Sequence, residues 1–165
     1  MISRTVIWAL FLIFSAATGQ EPVARAPLPV RVTLCELAKA PENYAGKMIE
    51  IRARITGYSE PVLDDFSEKE SCATHFTVIL ANPDDVKPRA KFDLVRDYSL
   101  DKFHQDLQHA MTVEATLEGR FDTVFELKEG KQVRTGKGYG KEHDAEGRLV
   151  LRRITKLEAW HIERR

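Results

Sequence analysis

The residues with the most reactive side chains in this sequence are Cys35, Cys72 and His75. Thiolates pair, ligate metals or exchange disulfides, and spacing separates these uses. Cys35 and Cys72 lie too far apart for a Cys-x-x-Cys exchange motif. A bridge between them would close a loop of about forty residues, worth about 4 kcal/mol in the chain-entropy model. Cys72 and His75 have the spacing of half a zinc site, but no second half follows, although His143 and His161 could approach in a fold. The expectation is therefore a structural disulfide between Cys35 and Cys72, with no metal and no cofactor. The alternative is a small metal-dependent protein or hydrolase using His75 and nearby acids. Asp64, Asp65, Glu68 and Glu70 lack the alternating ligands and central glycine of a calcium loop and read as a solvated acidic loop.

Other groups that could do chemistry read more simply as structure. The glycines at 136, 138 and 140 lack the Gly-Lys-Ser/Thr ending and the strand-to-helix context of a phosphate loop. They suit a flexible approach to a hairpin, with residues 144–147 as its turn. Ser71 near Cys72 and His75 is no nucleophile elbow. His104 and His109 fall on a helix surface. With no catalytic constellation in view, the chain is expected not to be an enzyme.

The elements that must position these groups begin after an apolar N-terminus. Arg4, an apolar run from Val6 to Phe14 and small residues from Ser15 to Gly19 have the pattern of a cleavable export signal, cut after Ala17 or Gly19. The apolar run is shorter than the ~20 residues that span a bilayer, so no membrane span is expected after cleavage. The boundaries read as signal 1–19, a Pro-rich linker 20–29 and one domain 30–165. The whole chain has 25 basic and 25 acidic residues. Removal of the signal takes one arginine and no acid, leaving no field to attract nucleic acid or an anionic membrane. Secreted or periplasmic localisation is expected, in compartments that favour disulfides.

The clearest element is a strand around Ile49, Ile51, Ala53 and Ile55, whose apolar residues alternate with Glu50, Arg52, Arg54 and Thr56. Before it, Thr33 and Glu36 form a capping box for a short helix that Pro41 stops. After it come a short strand at Val62 and Leu63 and a second β-rich run from His75 to Ala81, ended by Asn82 and Pro83. A mixed-charge loop from Asp84 to Arg96 precedes a helix capped by Ser99 with a Phe103/Leu107 stripe. A strand from Met111 continues past a bulge at Gly119. Residues 128–131 make a turn, and a last strand from Arg148 needs a bulge near Arg152 and Arg153 to keep its register.

This inventory predicts a mainly β domain: a five-stranded Greek-key barrel of the oligonucleotide/oligosaccharide-binding (OB) type, with a short N-terminal helix and a helix between strands 3 and 4. Arg52, Arg54, Tyr58 and Tyr139 form its candidate binding face, with Phe121 and Phe125 near the same surface. Glu50, Glu114 and Glu118 share the outward side and would repel phosphates, which argues against nucleic acid. Arg–Glu pairs between neighbouring strands are the simpler reading.

Leu34, Cys35, Glu36 and Leu37, then Tyr44, Gly46 and Lys47, then Ile49, Ile51, Arg52 and Gly57, with Cys72 and a terminal Leu-Val-Leu strand, resemble small secreted bacterial OB-like domains. The resemblance implies that fold and an envelope or extracellular setting, and carries over no catalytic residue. The functional expectation is an exported, non-enzymatic binding or interaction module of the bacterial cell envelope, for a protein, glycan or small ligand.

Overall fold

The computed structural model describes residues 28–64, 76–110 and 112–158. The signal expected at residues 1–19, Cys72, His75, Asp65, Glu68, Glu70 and His161 lie outside them. In chain order the elements are β1 (Val30–Val32), α1 (Leu34–Lys39), a 3-10 turn (Pro41–Tyr44), β2 (Met48–Thr56), β3 (Val62–Asp64), β4 (Val78–Ala81), α2 (Tyr98–Ala110), β5 (Thr112–Thr123), β6 (Phe125–Lys128), β7 (Lys131–Arg134) and β8 (Gly147–Leu157).

Local chemistry places the first of these. The Glu36 backbone N–H donates to the Thr33 hydroxyl at 3.2 Å, and the Thr33 N–H donates to the Glu36 carboxylate at 2.7 Å, so both halves of the capping box are made. Alternation then drives β2 to bury Ile49, Ile51, Ala53 and Ile55, each at most 1% exposed. Burying each isoleucine contributes roughly 2 kcal/mol.

Five strands close into a barrel. β2 pairs antiparallel with β3 and with β5, β3 with β4, and β5 with β8, while β4 and β8 run parallel. Around the barrel the order is β2-β3-β4-β8-β5 and back to β2. That is the expected OB-like topology, with α2 between the third and fourth barrel strands. β1 adds a parallel strand beside the first half of β2, and β6 and β7 form a separate hairpin. The barrel fills with Leu63, Val78, Val113, Leu117, Phe121 and Leu149, and Leu100, Phe103 and Leu107 of α2 pack into the same core. A smaller apolar cluster lies on the seam between β4 and β8, where Val86, Ala90 and Phe92 of the loop after β4 pack around Ala81 and Val150.

Several local expectations need correction. The Leu100 N–H donates to the Asp97 carboxylate at 3.1 Å, and α2 starts at Tyr98, so Asp97 and not Ser99 caps it. The late turn falls at residues 140–144, because Tyr139 and Ala145 bridge each other; Gly147 already belongs to β8. Phe121 is fully buried in the core and takes no part in a surface. The two expected bulges are one event: between Glu118 and Gly119 the partner register jumps from Arg153 to Leu151, leaving Arg152 as the extra residue. A second irregularity follows at Thr155. Gly119 has a physical reason to be there, since a Cβ on it would sit on the Val150 carbonyl oxygen.

Candidate functional site: a cleft between the β2–β3 loop and α2

Period-two geometry puts Glu50, Arg52, Arg54, Glu114 and Glu118 on the outer side of the barrel, and each of them is taken up in an ion pair. Arg31 pairs with Glu50 at 2.8 Å and Arg54 with Glu114 at 3.5 Å, each directly across neighbouring strands. Arg52 pairs with Glu158 and Lys156 joins the same carboxylate at 3.2 Å. The Arg52 hydrogen bond, ahead of the others, holds the Glu158 carboxyl below its ordinary range. Two members of the candidate binding face, Arg52 and Arg54, are thus parts of ion pairs.

Glu118 departs most from expectation. It stands opposite Glu50, yet its side chain is 1% exposed. Arg152 donates to Oε1 at 2.8 Å and Arg153 to Oε2 at 2.7 Å. The bulge at Arg152 lets two consecutive residues reach one carboxylate. Its charge is therefore neutralised and does not repel anions as the outward reading supposed.

Tyr139 is held in a second polar cluster. Asp122 accepts from Arg120 at 2.7 and 2.9 Å and from Arg148 at 2.7 Å, and the Arg148 guanidinium lies 4.5 Å from the Tyr139 ring centre. Burial first, and then the Asp122 charge, push the Tyr139 hydroxyl pKa up. The Asp122 hydrogen bond raises that of Arg120.

Tyr58 is placed differently. It is half exposed on the loop between β2 and β3, where its hydroxyl oxygen accepts from the Gln108 amide of α2 at 2.6 Å. Behind that contact opens a cleft of about 700 Å³. Its wall is apolar, made by Leu80, Leu94, Phe103, Leu107 and Leu151. Its lip is polar, with Tyr58, Glu60, Asn82, Asp85, His104 and Gln108. A volume of this size, an apolar wall and a few polar groups are the usual make-up of a small-ligand site.

No family model matches the chain, and no similar curated protein or solved structure was found.

The lip is built from fixed pieces. The Lys141 N–H donates to Glu60 Oε1 at 2.8 Å, joining the β2–β3 loop to the connection that precedes β8. A side chain at Gly140, where φ is +84°, would run into the same carboxylate. The Leu80 N–H donates to the Pro61 carbonyl at 2.8 Å, and the Asp85 N–H to the Asn82 carbonyl at 3.0 Å. So the loop carrying Tyr139 and the loop carrying Tyr58 meet at Glu60, while Arg52 and Arg54 stay on the barrel wall.

Of the cleft residues only Tyr58 stood out in the sequence as a binding residue, and His104 as a helix-surface residue. Glu60, Leu80, Asp85, Leu94 and Gln108 come from separate segments and share no spacing pattern. The one local signal was Asn82-Pro83, which ends β4 at the cleft edge. Among the described residues no group of three His, Cys, Asp or Glu side chains is arranged to hold a metal ion, and no helix is long and apolar enough to cross a membrane.

Proposed function

We propose that this chain is an exported, non-enzymatic binding module of the cell envelope and that the cleft between the β2–β3 loop and α2 is its ligand site. The observation that carries the reading is the cleft itself, an apolar wall about 700 Å³ in extent beneath a lip of fixed polar groups. The favoured partner is a small ligand, because the opening is a concavity rather than a flat apolar patch. Export is supported by the signal pattern of residues 1–19 and the linker to residue 29. A Cys35–Cys72 disulfide belongs to the same reading: the chain holds two cysteines, and an oxidising compartment would pair them.

The test is a ligand screen by ¹⁵N NMR on the labelled protein, using small amphiphiles and short glycans. Shifts confined to the amides of Ser59, Ala81, Asn82 and Gln108 support the cleft. Hits that instead move the amides around Asp122 and Tyr139 overturn it. Intact mass before and after reduction, with iodoacetamide present, reads the disulfide: alkylation of both cysteines without reductant rejects the bridge.

A further inference from the structure

Resting on that reading of the cleft, the geometry points to a ligand of one chemical class: an amphipathic organic cation, with an apolar body and an amine.

Charge around the cleft is one-sided. Its lining includes two carboxylates, Glu60 and Asp85, and one histidine; among the described residues that line it there is no lysine or arginine. Several carboxylates elsewhere in the fold are held by arginine. Glu50, Glu114, Glu118, Asp122 and Glu158 all have arginine partners, and Asp84, next to Asp85, pairs with Arg89 at 2.9 Å. Neither Glu60 nor Asp85 has an ion-pair partner among the described residues. Glu60 is nevertheless fixed, through one oxygen, by the Lys141 N–H. A carboxylate held in place at the lip of an apolar cleft is preorganised for a cation, because its ordering cost is met before the ligand arrives.

The wall sets the rest of the ligand. Leu80, Leu94 and Leu107 offer apolar surface with no charge among them, so the part of the ligand inside should be a hydrocarbon chain or an aromatic ring. An anionic amphiphile would bring its charge against Glu60 and Asp85, and a neutral one would leave both without a counter-charge.

The experiment titrates the ¹⁵N-labelled protein with three ligands of one shape and three charges: phenylbutylamine, phenylbutanol and phenylbutyrate. The expected result is that the amine shifts the Ser59, Ala81 and Gln108 amides and binds at least about tenfold more tightly than the alcohol, the equivalent of about 1.4 kcal/mol. The E60Q/D85N variant should bind amine and alcohol alike, and its spectrum reports whether it is folded. Gln108→Trp, an exposed substitution at the lip, should abolish the shifts. Should E60Q/D85N fail to fold, the charge series on the unsubstituted protein and the Gln108→Trp variant still decide. Equal or tighter binding of the alcohol or the carboxylate at the cleft overturns the cation assignment and leaves the cleft as a binding site. Undiminished amine binding by Gln108→Trp, or shifts elsewhere only, places the site outside the cleft and overturns both readings.

Discussion

Arg153 donates to Glu118 Oε2 at 2.7 Å across the seam between β5 and β8, and Arg152, the extra residue of the bulge, donates to the other oxygen of the same carboxylate. The pair of arginines is half exposed while the glutamate is buried, so the two sides of this ion triad should respond unequally to substitution. Glu118→Ala leaves two guanidiniums that can recover water, and should cost about 3 kcal/mol, the low end for breaking a buried pair. Arg152→Ala/Arg153→Ala strands a buried carboxylate and should cost more. Urea unfolding of the two variants checks the order; equal or reversed costs would refute it.

Gly119→Ala should destabilise by about 2 to 3 kcal/mol, because the added methyl meets a backbone carbonyl of β8 and not the end of a movable side chain. The same substitution at Gly46, where nothing lies within 4 Å but φ is +71°, carries only the smaller cost of a left-handed backbone. Thermal melts of the two variants side by side read the difference.

Thr33→Ala removes the capping hydroxyl of α1 and should cost about 1 kcal/mol. It also changes the acid limb of the stability profile. The Thr33 backbone N–H, and then its hydroxyl, hold the Glu36 carboxyl below the ordinary carboxylate range. A carboxyl lowered by folding contributes stability above its unfolded pKa and loses it as pH falls through the folded value. The substituted protein should therefore lose less stability than the parent when acidified across that window, as measured by urea midpoints at a series of pH values.

Tyr139 should titrate late. Burial raises the Tyr139 pKa, so this phenol should ionise above the ordinary tyrosine range. The sign is that of a raised group: its stabilisation is present below the unfolded tyrosine pKa and is lost as pH rises through the folded one. Absorbance at alkaline pH should show a late component that Tyr139→Phe removes. A titration unchanged by the substitution would count against the buried cluster.

How much of this was legible in the chain depends on how far apart the determining residues lie. The capping box of Thr33 and Glu36 is four residues wide and the alternation of Ile49 to Ile55 seven, so both could be read directly. The bulges were also signalled, by a glycine on β5 and by an alternation that slips at Arg152 on β8. That these two signals describe one seam could not be read, because strand partners are set by the closed barrel and not by neighbours in sequence. Glu118 shows the cost: its outward side was correct, but its burial depends on two arginines 34 and 35 residues away. The cap of α2 went to Asp97 over Ser99 because either residue satisfies the local rule. The cleft was hidden for the same reason as the seam. Its lip joins Glu60 to Lys141, 81 residues on, and its wall draws on β4, α2 and β8.

The parallel pairing of β4 with β8 has a kinetic consequence. β8 makes two of the five seams of the barrel, so until residues 147–157 are in place the other four strands form a curved sheet with open edges at β4 and β5. Contacts of such long sequence separation form slowly, and open edges invite pairing with other chains while they wait. A chain that folds as it emerges from its N-terminal end would therefore keep its barrel unclosed until residues 147–157 have emerged. The last strand to arrive is the one that ends that state.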